Sequence, residues 1–317
     1  MLAALATVAA MPLEVPRCQW RGKVAFRDFT SQRGDDGGGG RPAVITGLLL
    51  SWQCSRWTLK SLAADARSDI QVTICDANSE ETSSTKVTKR QMALSQYCQE
   101  LNDLKEKRHA SISNSASTVL RGNERQAIGY LKQLELFRYL PHLERDCDFL
   151  AVWPWWFRLV ARIFGSTTYL WVGPQGSMTG LHNDDEQNLL CQIVGTKRIW
   201  LMPNDERHRS FALVNEKYDS GTECADRDLA MSDVAALAAK EGLNIWCCDL
   251  HPGEMLYIPR FWFHQVVTTS PVAMSLNNFA SGPIGLVRYG ALRLLHSIAH
   301  DLFGWRRRNC VCHSHHE

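Results

Sequence analysis

With 317 residues, 45% of them hydrophobic, the chain can bury a substantial core and is long enough for one domain or two. A formal net charge of +2 provides no bulk attraction for nucleic acid or an anionic membrane, so any such binding has to come from where charge is placed. Eleven cysteines, an odd number scattered from Cys18 to Cys312, suit reduced thiols in the cytoplasm or nucleus better than a disulfide scaffold.

Met1 to Met11 is apolar but lacks the basic stretch that precedes a secretory core, so no signal peptide is expected. No apolar run of about 18 residues occurs anywhere, which argues against a spanning helix. Residues 31–40 end in four glycines and read as a flexible tether. The tether separates a segment over 1–40 from a folded domain expected over 41–282. Ser79 to Thr88 reads as a polar loop. Met92, Leu94, Tyr97, Cys98, Leu101 and Leu104 approximate helical spacing and predict a helix beside the main core. Trp153-Pro154-Trp155-Trp156-Phe157 reads as aromatic packing of a helix on a sheet; the alternative is a platform for a peptide or an unstacked base. From Thr168 to Ala280, short β-branched and aromatic runs separated by Gly, Pro and Asp predict an all-β barrel core over about 168–280. A short helix, Ser232 to Lys240, interrupts it. Beyond the barrel, Ile284, Leu286, Val287, Ala291, Leu294, Leu295, Ile298, Leu302 and Phe303 recur at helical spacing, closed by Trp305 to Arg308. This amphipathic region, 283–309, is expected to pack on the barrel or on a second copy. Its arginines leave open an anionic membrane or a nucleic-acid backbone. The tail 310–317 carries Cys310, Cys312, His313, His315 and His316, donors that suit zinc or copper but lack a paired C-x₂-C spacing.

The chemistry concentrates in His182-Asn183-Asp184 and, eighty residues later, Trp262-Phe263-His264, which follows a strand predicted over Gly253 to Pro259. On an extended strand residues i and i+2 share a side, so His182 and Asp184 can face one metal while His264 arrives from a distant strand. Two imidazoles and one carboxylate on one face of an octahedron leave three positions open, as in non-haem Fe(II) oxygenases. Thr179 lies three residues before the first histidine, Asn188 four after the aspartate and Lys197 thirteen after it.

Taken together, these motifs resemble the JmjC family of Fe(II)- and 2-oxoglutarate-dependent oxygenases, within the cupin-like double-stranded β-helix (jelly-roll) superfamily. The likeness covers residues 40 to 282 and includes Arg41 to Leu48, backed by Trp52 and Trp57, and Gly129 to Phe137 with Leu140 to Leu143. It is similar to the small JmjC hydroxylases typified by factor inhibiting hypoxia-inducible factor, although Phe279-Ala280 departs from their Asn-Phe-Trp ending. The resemblance implies a mainly β, JmjC-type barrel with flanking and C-terminal helices, the latter mediating dimerisation. It implies Fe(II) on His182, Asp184 and His264, and 2-oxoglutarate as co-substrate with O2. Lys197, Thr179 and Tyr130 would take the distal carboxylate, Tyr130 from a helix over 129–137, and Asn188 and Asn277 the iron-proximal end. The reaction implied is hydroxylation of a protein side chain, with release of succinate and CO2. A tRNA-base hydroxylase, a histone lysine demethylase and an inactive cupin-like binding protein stand as alternatives.

Overall fold

The computed structural model describes residues 11–22, 40–66, 69–75, 89–113, 128–153, 168–214, 222–280, 295 and 298–305. The expectations for Met1 to Ala10, the tether over 31–39, the Ser79 to Thr88 loop, Trp155 to Phe157, most of 283–309 and the tail 310–317 lie outside these residues. In chain order the strands are β1 (Leu13–Glu14), β2 (Arg17–Gln19), β3 (Ala43–Thr46), β4 (Gln71–Cys75), β5 (Lys89–Ala93), β6 (Tyr130–Leu134), β7 (Thr168–Pro174) and β8 (Met178–Asp184). They continue as β9 (Gln187–Val194), β10 (Lys197–Met202), β11 (Thr222–Cys224), β12 (Trp246–Leu250), β13 (Met255–Ile258), β14 (Phe263–Thr268) and β15 (Val272–Ala280). The helices are α1 (Leu59–Asp65), α2 (Leu94–Ser113), α3 (Leu136–Tyr139), α4 (Phe149–Val152), α5 (Glu206–Ala212) and α6 (Val234–Lys240).

Two sheets face each other, with orders β1-β12-β10-β14-β8-β11 and β2-β3-β13-β9-β15-β7-β6-β4-β5. From β7 to β10 and again from β12 to β15 successive strands alternate between the sheets, the jelly-roll arrangement expected of a cupin-like barrel. Alternation along each strand then divides the apolar residues into three cores. Ile199, Leu201, Leu250, Leu256, Ile258 and Trp262 fill the interior between the sheets. Met274, Leu276, Leu189, Cys191 and Ile193 face outward beneath α1 and α2, whose Leu59, Leu62, Leu94, Tyr97 and Leu101 close that core. Leu181, Met202 and Phe263 face outward on the other side, under Phe211 of α5 and Val234 and Ala238 of α6.

The helix read over Met92 to Leu104 begins at Leu94, and Met92 belongs to β5. Its apolar face is buried as the spacing predicts, and the Tyr97 hydroxyl accepts from the Leu131 amide at 3.2 Å, joining helix to sheet. A larger correction concerns residues 129–137: Tyr130–Leu134 is a strand, paired with β7 and β4, and the only helical residues there begin at Leu136. A short apolar run does not distinguish helix from strand by periodicity, and here pairing with two neighbours decides. Trp153 is buried, and its indole N–H donates to Asn278 Oδ1 at 2.7 Å, so it packs in the core and is no exposed platform. Residues 298–303 are helical. No helix among the described residues is long and apolar enough to cross a membrane.

Candidate metal centre

β8 and β14 lie side by side, with His182 opposite His264. Within β8 the phase is not uniform: Thr179 pairs with Val266, so Gly180 and Leu181 together oppose Gln265 alone. This bulge turns residues 179 and 182, an odd distance apart, to the same side. Packing does not require glycine at position 180, since a Cβ there would meet nothing within 4 Å.

His182 Nε2 stands 3.9 Å and His264 Nε2 3.6 Å from Asp184 Oδ2, and the three ligand atoms fall within 4.8 Å of one another. Each imidazole is oriented by its own strand, His182 Nδ1 lying 2.8 Å from the Gly180 carbonyl and His264 Nδ1 3.0 Å from that of Trp262. A carbonyl only accepts, so Nδ1 carries the hydrogen and Nε2 keeps its lone pair toward the carboxylate. Burial, reinforced by His182, holds His264 down to about 4, against the opposing pull of Asp184. It is therefore neutral at physiological pH and able to ligate.

Asp184 is fixed from two directions. Thr222 Oγ1 donates to its Oδ1 at 3.2 Å, leaving Oδ2 to the histidines, and the amide of Phe261 donates to its carbonyl at 2.8 Å. Phe261 makes that contact at φ 64, a conformation costly for a bulky side chain. Behind the ligands, Asn183 Nδ2 donates to Glu223 Oε2 at 2.9 Å, and Arg209 of α5 grips both oxygens of Glu223 at 2.6 and 3.0 Å. Arg209 and Asn183 hold the Glu223 carboxyl below its usual range. The result is a clamp between α5, β11 and the ligand strand β8.

The triad opens into a cavity of about 430 Å³ whose lining includes Tyr130, Thr179, His182, Asp184, Asn188, Lys197, His264 and Asn277, all eight residues singled out in the sequence. Lys197 shares the inward phase of Ile199 and Leu201, where an apolar residue is normal. Its ammonium donates to Ser275 Oγ at 2.6 Å and lies 5.7 Å from the Tyr130 ring centroid. No carboxylate pairs with it among the described residues, and burial depresses it to about 7. Burial raises the Tyr130 phenol, against the opposing effect of a hydrogen bond with Thr179. The Tyr130 ring fits because residue 173 is glycine: a Cβ there would stand 2.6 Å from Tyr130 Cδ2. Asn277 Oδ1 accepts from the Trp171 indole at 2.8 Å, whereas the buried Asn188 Oδ1 has no hydrogen-bond partner among the described residues.

A divalent ion fits the triad, because two neutral nitrogens and a carboxylate converge with their lone pairs free. A dicarboxylate fits beside it, because a buried cation with no carboxylate partner among the described residues faces the same space. Sequence reasoning missed Thr222, Glu223, Arg209 and Ser275. Only Ser275 carried a signal, lying two residues from Asn277 on the same strand face.

Fold and site define a double-stranded β-helix protein with a two-histidine, one-carboxylate centre. The Cupin-like domain family matches residues 38–281, and the chain belongs to it, in the JmjC branch of Fe(II)- and 2-oxoglutarate-dependent oxygenases. Among its relatives, Lysine-specific demethylase 8 of Xenopus tropicalis is 28% identical over 147 residues, 45% of this chain and 31% of that protein. The HSPB1-associated protein 1 homolog of Danio rerio is 29% identical over 116 residues, 36% of this chain and 26% of that protein. The Homo sapiens Bifunctional peptidase and (3S)-lysyl hydroxylase JMJD7 is 26% identical over 149 residues, 42% of this chain and 45% of that protein. The match thus spans less than half the length of each of these relatives.

Proposed function

We propose that this protein is an Fe(II)- and 2-oxoglutarate-dependent dioxygenase that hydroxylates a protein side chain. The observation that carries this is the convergence of His182 Nε2, Asp184 Oδ2 and His264 Nε2 at the wall of a cavity that also holds the buried Lys197. With O2, the bound metal and 2-oxoglutarate supply the oxidising power: the keto acid leaves as succinate and CO2, and one oxygen atom enters a substrate C–H bond.

The chain's own residues bind, orient and exclude water. His182 and His264 present neutral Nε2 atoms, and Asp184 presents Oδ2 because Thr222 occupies Oδ1. Lys197, with the Tyr130 and Thr179 hydroxyls, takes the distal carboxylate of 2-oxoglutarate; a charge-assisted hydrogen bond in a dry pocket is about twice as strong as a neutral one. Asn188 and Asn277 serve the metal-proximal end through their amide nitrogens, which can donate to carboxylate or keto oxygens; Asn277 Oδ1 is already taken by the Trp171 indole. Buried thiols such as Cys98 and Cys191 suit the reducing cytoplasm or nucleus.

The names of the relatives favour a protein substrate. One is named a lysyl hydroxylase and another a lysine-specific demethylase, which makes removal of an N-methyl group the second reading. Purified protein given Fe(II), ascorbate and 2-oxoglutarate should release succinate slowly, and the His182→Ala variant should not. Equal succinate from both proteins would end the oxygenase reading. Comparing the proteomes of cells carrying either form separates the two chemistries, since hydroxylation adds one oxygen atom and demethylation removes one methyl group.

A further inference from the structure

The cavity reaches past the barrel strands. Its lining includes Thr73 of β4 and Lys132 and Gln133 of β6, strands that extend the nine-stranded sheet beyond β7. Gln133 is the residue of this lateral arm whose backbone is under strain.

On a regular strand two successive residues face opposite sides. Lys132 and Gln133 nevertheless both line the cavity, while Leu131 and Leu134 both enter the core beneath α1 and α2. The cause is a bulge: β6 carries an extra residue between its pairings of Leu131 with Val172 and Leu134 with Leu170. Gln133 takes up that bulge at φ 52, in the left-handed region where a side chain costs stability and glycine does not. Four residues earlier the chain does use glycine. Gly129 has φ 76, and a Cβ there would stand 2.5 Å from the Cys75 carbonyl oxygen. The other two non-glycine residues at positive φ among those described have evident duties, Leu213 ending α5 and Phe261 donating to the Asp184 carbonyl. Core packing thus accounts for the bulge in β6 but not for glutamine at its strained position, where the side chain is exposed and turned to the cavity.

A carboxamide presents an N–H donor beside a carbonyl acceptor, the complement of a peptide group. β6 lies two strands from β15, about 10 Å across the sheet, and the triad stands on the opposite sheet. Gln133 is therefore placed to hold the chain that carries the reacting side chain, and not the reacting side chain itself. On these grounds, and resting on the oxygenase reading above, we infer that Gln133 is a substrate-binding residue that hydrogen-bonds a main-chain peptide group of an extended polypeptide laid along the lateral arm. The enzyme then acts on a polypeptide segment and not on a free amino acid. Because a carboxamide also pairs with adenine, RNA is the competing outcome.

The test uses the full chain loaded with Mn(II) and 2-oxoglutarate, whose uptake is first verified by calorimetry. Fluorescence anisotropy then compares a pool of short labelled random-sequence peptides with the same pool N-methylated along its backbone, with a random-sequence RNA beside them. The unmodified pool should bind tightest, and a mixture of free amino acids should not displace it. Gln133→Met keeps the length and the strain but loses the carboxamide; it should bind the unmodified pool about fivefold more weakly, narrow the gap between the two pools and leave Tm unchanged. Gln133→Gly, which releases the strain, should weaken binding likewise with Tm unchanged or raised. Gln133→Asn keeps a carboxamide in a residue that tolerates the left-handed region, and should retain part of the affinity. Unchanged affinity in both Gln133→Met and Gln133→Gly, tighter binding of RNA, displacement by free amino acids, or no binding of the unmodified pool overturns the inference. If the wild type takes up neither Mn(II) nor 2-oxoglutarate, the oxygenase reading itself has failed and this inference falls with it. Uptake of both, with the Gln133 variants indistinguishable from wild type, sinks this inference alone.

Discussion

An ammonium placed where the strand pattern calls for valine or leucine is costly to fold around, and Lys197 is such a group. Burial depresses it to about 7, so near neutrality it is only partly charged. A bound carboxylate favours the protonated form, and binding above that value must take up a proton. The affinity for 2-oxoglutarate should therefore be level below about pH 7 and fall, by up to about tenfold per pH unit, as pH rises through it. Calorimetry with Mn(II) between pH 6 and 9 reads this directly, and a flat profile contradicts it. Replacing the charge outright, Lys197→Met, should cost about 1.5–3 kcal/mol of co-substrate binding, roughly ten- to a hundredfold in Kd. Trp153 marks the opposite kind of residue, buried for packing. Trp153→Ala should destabilise the fold by about 3–5 kcal/mol in denaturant titration, because it leaves a cavity and strands Asn278. These residues were legible because burial of a lysine or a tryptophan follows from its strand or its neighbours. Arg227, on the cavity wall, was not, since nothing local to it predicts that Phe211, sixteen residues earlier, will hold its guanidinium.

At the level of elements, the spacing of the site was readable where strand alternation is regular and opaque where it breaks. His182 and Asp184 follow the two-residue period, whereas the position of Thr179 depends on the bulge in β8, which no residue type announces. β6 was misread as a helix for a related reason: it too is irregular, with Gln133 at φ 52 and one extra residue opposite β7. The clamp of β11 was out of reach because Arg209, Asn183 and Glu223 come from separate elements joined only by tertiary packing. Its consequence is testable. Thr222→Val removes the donor that reserves Asp184 Oδ1 and should weaken Mn(II) binding several-fold with little change in the melting temperature of the metal-free protein. Glu223→Gln, which disturbs both Arg209 and Asn183, should lower both. If Mn(II) affinity is unmoved in the two variants, β11 is a cover for the barrel edge and has no part in orienting the ligands.

For the whole molecule, the site is a joint between two sheets. The triad and Lys197 stand on the six-stranded sheet, while Tyr130, Asn188, Ser275 and Asn277 stand on the nine-stranded one. The hydrogen bond from Lys197 to Ser275, like that between Tyr130 and Thr179, crosses the gap at the depth of the cavity. A metal on one wall and a dicarboxylate touching both walls would therefore tie the sheets together, and ligand binding should be visible as global stability. A ligand that binds only the folded state at about a hundred times its Kd adds about 2.7 kcal/mol, which for a domain of this size raises Tm by roughly 5–10 °C. Mn(II) with 2-oxoglutarate should exceed the shift from Mn(II) alone, and EDTA should return the protein to its metal-free Tm. In His182→Ala neither ligand should move the transition, whereas in Lys197→Met the Mn(II) shift should persist and the 2-oxoglutarate increment vanish. An equal increment from 2-oxoglutarate in wild type and Lys197→Met would place the co-substrate elsewhere and leave the buried lysine without the partner its surroundings imply.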